Sequence, residues 1–176
     1  MGKSAEAYNR ITQITHWASA LLILGMLGMG LAMTRIGEGG TQEALYNAHV
    51  GMGLGTLALT AVRLVALAVH RWPSPPPGLS RVNERAFTGT HVLLYVLLIA
   101  LLASGIGMLA LSGVALAPGS IVPADIENVP PRMAHDVLSK VFIALLLVHV
   151  AGVVRYQLGK GDTLGRMGVP WFRRSA

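Results

Sequence analysis

The chain contains no cysteine. That excludes thiolate-ligated iron–sulfur clusters, cysteine-attached haem and disulfides. Charge is scarce too: charged residues make up 12% of the chain, about half the soluble-protein norm of roughly 25%. There is no internal repeat and no low-complexity stretch. What fills the space is apolar, 53% of 176 residues with a mean hydropathy of +0.57. A single integral membrane domain covering 1–176 is the expectation. The net charge of +6 does not argue for nucleic acid, because a membrane protein collects Lys and Arg in its cytoplasmic loops.

A span needs about 20 apolar residues. The sequence predicts four of them, at about 11–33, 46–70, 87–112 and 133–158, an all-α four-helix bundle. The first follows Lys3 and Arg10, as a signal peptide would, but it is too long, lacks a clear cleavage site and contains His16, so it is read as a retained span. Pro73 to Pro77 form a stiff connector, and Pro130 and Pro131 end the third loop just before the last span. Nine Lys and Arg fall at the N-terminus, the second loop and the tail, against Arg35 and Arg132 on the other side. That bias predicts both termini in the cytoplasm. In the tail, Trp171 and Phe172 beside Arg173 and Arg174 read as an interfacial anchor.

Histidines carry the chemistry. His135 and His149 lie fourteen residues apart on the last span. On an α-helix that interval returns to within about 40° of the same face and separates the rings by roughly 21 Å along the axis. The first span runs outward, so His16 is inner. The second runs inward, so His49 is outer. His135 is then outer and His149 inner. The depths pair His16 with His149 and His49 with His135, two levels of two imidazoles each. This suits two six-coordinate b haems stacked across the bilayer. A structural zinc site wants four clustered ligands, which two-histidine levels do not supply. Depth alone leaves His91, on the third span at about the inner level, open as a ligand in place of His16, or as a hydrogen-bonding partner of a propionate or a quinone. His70, at the end of the second span beside Arg71 and Trp72, reads as an interface residue.

The same interval recurs. Arg63 lies fourteen after His49, at the inner level, where a haem propionate would answer its charge. Gly30 lies fourteen after His16, at the outer level, and Gly53 sits one turn after His49. Either glycine lets a macrocycle approach the backbone, although ordinary small-residue helix packing explains them as well.

With these pieces in order, the chain resembles the bacterial cytochrome b561 family, related to the b-type subunit of nickel–iron hydrogenases. The matching pieces are THW at 15–17, HVG at 49–51, VRL at 62–64, PSPPP at 73–77, AHDVL at 134–138 and DTLGRM at 162–167. The resemblance implies His16 and His149 on the inner haem, with His49 and His135 on the outer one. It implies a multi-pass protein of the bacterial inner membrane that carries electrons between an outer donor and the quinone pool. Enterobacterial members are associated with superoxide oxidation and ubiquinone reduction. The outer loops sit awkwardly with an anionic substrate, since Arg35 and Arg132 face Glu38, Glu43, Asp125, Glu127 and Asp136. Lys140, five residues after His135, offers a local counter-field, or else pairs with Asp136 one turn back. A redox anchor serving a soluble dehydrogenase or cytochrome is the alternative. A proton transporter has no support, since inverted repeats and broken helices are absent.

Overall fold

A computed structural model of the chain describes residues 7–69, 73–114, 119, 121–159 and 161–169. Lys3, His70, Arg71, Trp72, Lys160, Trp171, Phe172, Arg173 and Arg174 lie outside them. The described residues form helices and loops without strands, in the order α1 (Arg10–Met33), α2 (Gly40–Val69), α3 (Arg81–Ser112), α4 (Pro123–Ile126), α5 (Pro131–Gly159) and α6 (Thr163–Arg166). Four of these, α1, α2, α3 and α5, are long and apolar enough to cross a membrane. Their outward faces carry aliphatic side chains such as Leu21, Val69 and Leu147, 74%, 74% and 65% exposed. In water such a belt would be costly; against lipid it is the expected surface.

Two helices begin earlier than hydropathy alone predicts. The second starts at Gly40 rather than at 46, and the third at Arg81 rather than at 87. The extra turns are polar, so an apolar window stops short of them, while the backbone continues helical into the interface. For α3 the start is set by Ser80, whose side chain accepts from the Asn83 amide. Its other end closes on Gly113, whose φ of 71° is the left-handed conformation that glycine takes at least cost. For α1 the cap is Asn9, accepting from Thr12 N at 2.8 Å.

The bundle consists of two hairpins. Helix α1 packs closely along α2, and α3 closely along α5, while contact between the hairpins is much sparser. Within the first hairpin Thr56 and Thr60 are buried, each hydroxyl donating to the carbonyl one turn back. Small residues bring the backbones together: a Cβ on Gly25 would meet Met52 Cε at 2.8 Å. The hairpins enclose a gap between them rather than a continuous packed seam.

Polar clasps close both ends. At the end carrying the α1–α2 loop, here called the acidic end, Met33, Tyr46, Leu109, Ile121 and Ile126 form a small core that seats the α3–α5 loop. Asn47 fixes that loop. Its Oδ1 accepts from Gly119 N and Ile121 N at 2.7 and 3.1 Å, and its Nδ2 donates to Ile121 O at 3.1 Å. At the opposite, basic end, the turn around α6 folds back under the bundle. Arg166 is 5% exposed, its guanidinium lies 4.3 Å from the Tyr8 ring centre, and it donates to Ser74. Tyr8 OH donates to Ser74 O as well, and burial pushes its phenol above the ordinary value. As sequence, Arg166 is one of the tail cations behind the orientation bias; in the fold it is an internal tie joining the N-terminal segment, the Pro-rich connector and the C-terminal turn. Asp162, whose side chain accepts from Gly165 N, shapes the turn that carries it inward.

Replacing Asn47 with Ala removes a side chain that both donates and accepts, and leaves backbone groups of the loop unpaired. A loss of about 1–3 kcal/mol in stability is expected. Thermal unfolding in detergent checks it; an unchanged midpoint would show that the loop is held by its apolar core alone.

Candidate functional site

Each hairpin presents histidines into the gap. His16 on α1 faces His149 on α5 with ring centres 6.4 Å apart, and His49 on α2 faces His135 on α5 at 6.3 Å. An imidazole–metal bond is about 2 Å, and nitrogen to ring centre adds a further step of about 1 Å, so two rings sharing one metal sit with centres roughly 6 Å apart. Both pairs meet that separation. His91 on α3 also reaches the inner level, but its ring centre is 5.0 Å from that of His149, edge-on at 89°. That is too close for an ion between them. The alternative that depth left open is therefore disfavoured by distance: His91 buttresses His149 from the side of its own hairpin. His91 is held by a 2.7 Å hydrogen bond from Nδ1–H to Phe87 O, with the Phe87 ring 4.3 Å away.

At the acidic level a cleft opens between the rings, lined by Met26, Gly53, Leu101, Gly105 and Arg132 beside His49 and His135. Gly53 thus faces the cleft, and a Cβ there would lie 3.6 Å from Met26 Cε. Gly30 backs His49: a Cβ on it would touch His49 Cε1 at 3.6 Å. Gly105 backs His135 in the same way, at 3.7 Å from Cε1. Glycine behind each ring lets the imidazole lie close against the neighbouring backbone and leaves its front free for the gap. His135 is oriented further by Ser104. The Ser104 hydroxyl donates to Leu101 O at 2.8 Å, so at 2.9 Å it accepts from His135 Nδ1–H. This tautomer leaves Nε2 with the lone pair a metal needs.

At the basic level the surroundings differ. Arg63 is half-buried, donates from Nε to Tyr95 OH at 2.8 Å, and lies over the Tyr95 ring. Its Nη1 is buried without a hydrogen-bond partner. A buried guanidinium edge without an acceptor calls for an anion, and a carboxylate such as a haem propionate would satisfy it. Trp17 packs edge-on to His16 at 5.7 Å and donates to Met167 O, tying this level to the clasp below. Lys140 lies five residues after His135 on α5. It is 71% exposed and bonded to Asp136 at 2.7 Å, so its charge is met locally.

The fourteen-residue interval governs all four spans. His91 plus fourteen is Gly105, the member that sequence reasoning passed over although the same rule would have found it. The basic level thus combines His16, Arg63, His91 and His149, and the acidic level Gly30, His49, Gly105 and His135. Ser104, Tyr95 and Trp17 were missed as well. Their role depends on how the helices are rotated against each other, and nothing in their own spacing signals it.

Four membrane-spanning helices with facing histidine pairs define a membrane cytochrome of the b type. The family model of prokaryotic cytochrome b561 matches residues 7–169, and the chain belongs to that family. It is 25% identical over 171 residues to cytochrome b561 homolog 2 of Escherichia coli (strain K12), covering 92% of this chain and 91% of the relative. Membership makes this a multi-pass membrane protein that carries electrons on b-type haem.

The close backing of His135 is directly testable. Gly105→Ala adds a methyl in ordinary contact and should leave haem absorbance unchanged. Gly105→Leu should displace the ring and lower the haem-to-protein ratio. Equal haem content in both variants would show that the glycine serves helix packing only.

Proposed function

We propose that the chain, acting as one domain over 1–176, holds two b haems stacked across the bilayer of the bacterial inner membrane. His16 and His149 ligate the one at the basic, cytoplasmic end; His49 and His135 ligate the one at the acidic, outer end. Both termini then face the cytoplasm. The observation that supports this reading best is the near-equal ring separation at two levels, 6.4 and 6.3 Å, each the span of one iron between two imidazoles. A b haem held by a histidine pair would supply one-electron redox chemistry at each level. The chain's own residues do the rest. The histidines fix the levels, Arg63 is placed to anchor a propionate, and Gly30, Gly53 and Gly105 make room. The aliphatic belt keeps the carriers within lipid.

On this reading the protein passes electrons between an outer donor and the quinone pool, with ubiquinone as acceptor and superoxide as one candidate donor. His91 and the basic end offer a polar group for a quinone carbonyl. Superoxide requires a steering cation; Lys140, five residues after His135, is bonded to Asp136, and Arg132 lines the cleft beside His135. A second reading has its own observation: Glu38, Glu43, Asp125, Glu127 and Asp136 dominate the outer end, which favours docking of a basic redox protein or a dehydrogenase over attraction of an anion.

Haem content tests the ligand pairing. His16→Ala and His149→Ala should lose the same haem, and His49→Ala and His135→Ala the other, read as paired losses in low-spin spectra. Retention of two unchanged low-spin haems in any single variant overturns the pairing. A pulse of superoxide given to the purified protein with ubiquinone separates the donors. Quinone reduction faster than in the His135→Ala control supports superoxide, whereas haems that stay oxidised favour a protein donor.

A further inference from the structure

The two levels share a ligand set but not an environment. At the acidic level His135 Nδ1–H donates to Ser104 Oγ, which is itself committed as a donor to Leu101 O. A histidine whose distal N–H is hydrogen-bonded gains imidazolate character and donates more strongly to its metal. That favours the more positive, ferric state. Around this level the backing positions are Gly30 and Gly105, and Arg132, which lines the cleft, also borders Glu127 and Asp136, whose carboxylates offset its charge. At the basic level the corresponding positions hold Arg63 and His91, and Arg63 is held by Tyr95 with its Nη1 buried and without a partner. A fixed positive charge in a medium of low dielectric constant disfavours ferric iron. The two effects act on different levels and in opposite senses.

We propose that the acidic-end site is held at the lower reduction potential and the basic-end site at the higher. Ser104 is the positioning residue of the first, and Arg63 sets the second. The proposal rests on the two-haem reading above. An electron delivered at the acidic end runs downhill to the basic end: iron goes from Fe(II) to Fe(III) at one level and from Fe(III) to Fe(II) at the other. One electron moves, with no proton transfer and no bond made or broken. A periplasmic one-electron reductant supplies it and a quinone removes it.

A spectroelectrochemical titration of the purified full-length holoprotein is the test, with the haem-to-protein ratio measured on the same sample. Two one-electron transitions are expected. Ser104→Ala should raise the lower one, by about 59 mV for each tenfold loss of ferric over ferrous preference, and leave the upper one in place. Ser104→Thr, which keeps the hydroxyl, should restore the wild-type value. Arg63→Gln should lower the upper transition, so that each change narrows the gap. If Ser104→Ala moves the upper transition, or neither while both low-spin signals persist, the proposal is overturned. Should Ser104→Ala fail to hold haem, Ser104→Thr and Arg63→Gln carry the same decision. A wild-type ratio other than two haems per chain would overturn the underlying reading, an outcome distinct from a wrong order of potentials.

Discussion

Everything in this bundle answers to the spacing of two histidines on α5. Fourteen residues place His135 and His149 on one helix face, roughly 21 Å apart along the axis. That face must look across a gap, because each ring meets its counterpart at just over 6 Å, with room for a metal ion between. The hairpins α1–α2 and α3–α5 are each tightly packed, and between them contact is sparse. A gap of this kind cannot be stabilised by the side chains that border it. In lipid, moreover, no hydrophobic force pushes apolar helices together; close packing and interhelical hydrogen bonds must hold them.

The ends supply that restraint. Asn47 pins the α3–α5 loop at one end, and Arg166, stacked on Tyr8 and bonded to Ser74, gathers three segments at the other. Both clasps sit at the ends of the apolar spans, where polar groups are least costly to bury together. They define the distance between the hairpins without occupying the space. The facing imidazole rings are thereby pre-positioned, which suits electron transfer, since a site that barely rearranges between two redox states responds quickly. The clasps belong to packing and energetics; the function they support belongs to the gap.

The four spans were legible because lipid imposes a length and an apolar composition on any helix that crosses it. The early starts of α2 and α3 were not, since a hydropathy window reports the membrane and not the helix. The burial of Arg166 was not legible for a related reason. A cation near a C-terminus ordinarily stays in water, and only the turn capped by Asp162 brings this one inside. Ser104 was invisible as well. A serine in an apolar helix satisfies itself on a carbonyl of the preceding turn, as this one does on Leu101, and its second contact, to His135, depends on the rotation of α3 against α5.

Depth is a coordinate along a helix, and counting residues measures it. The sequence by itself therefore determined the number of spans, the two levels and the residues at each, with the fourteen-residue rule extending to Gly105. Distance across the bundle is a different coordinate. It depends on crossing angles, on the small residues that let backbones approach, and on the clasps at the ends. For that reason counting residues could not separate His16 from His91; the resemblance pointed to His16, and the tertiary structure supplies the distances to His149, 6.4 Å from His16 and 5.0 Å from His91. The same holds for the surroundings that make the two levels unequal, a serine hydroxyl behind one and an arginine beside the other.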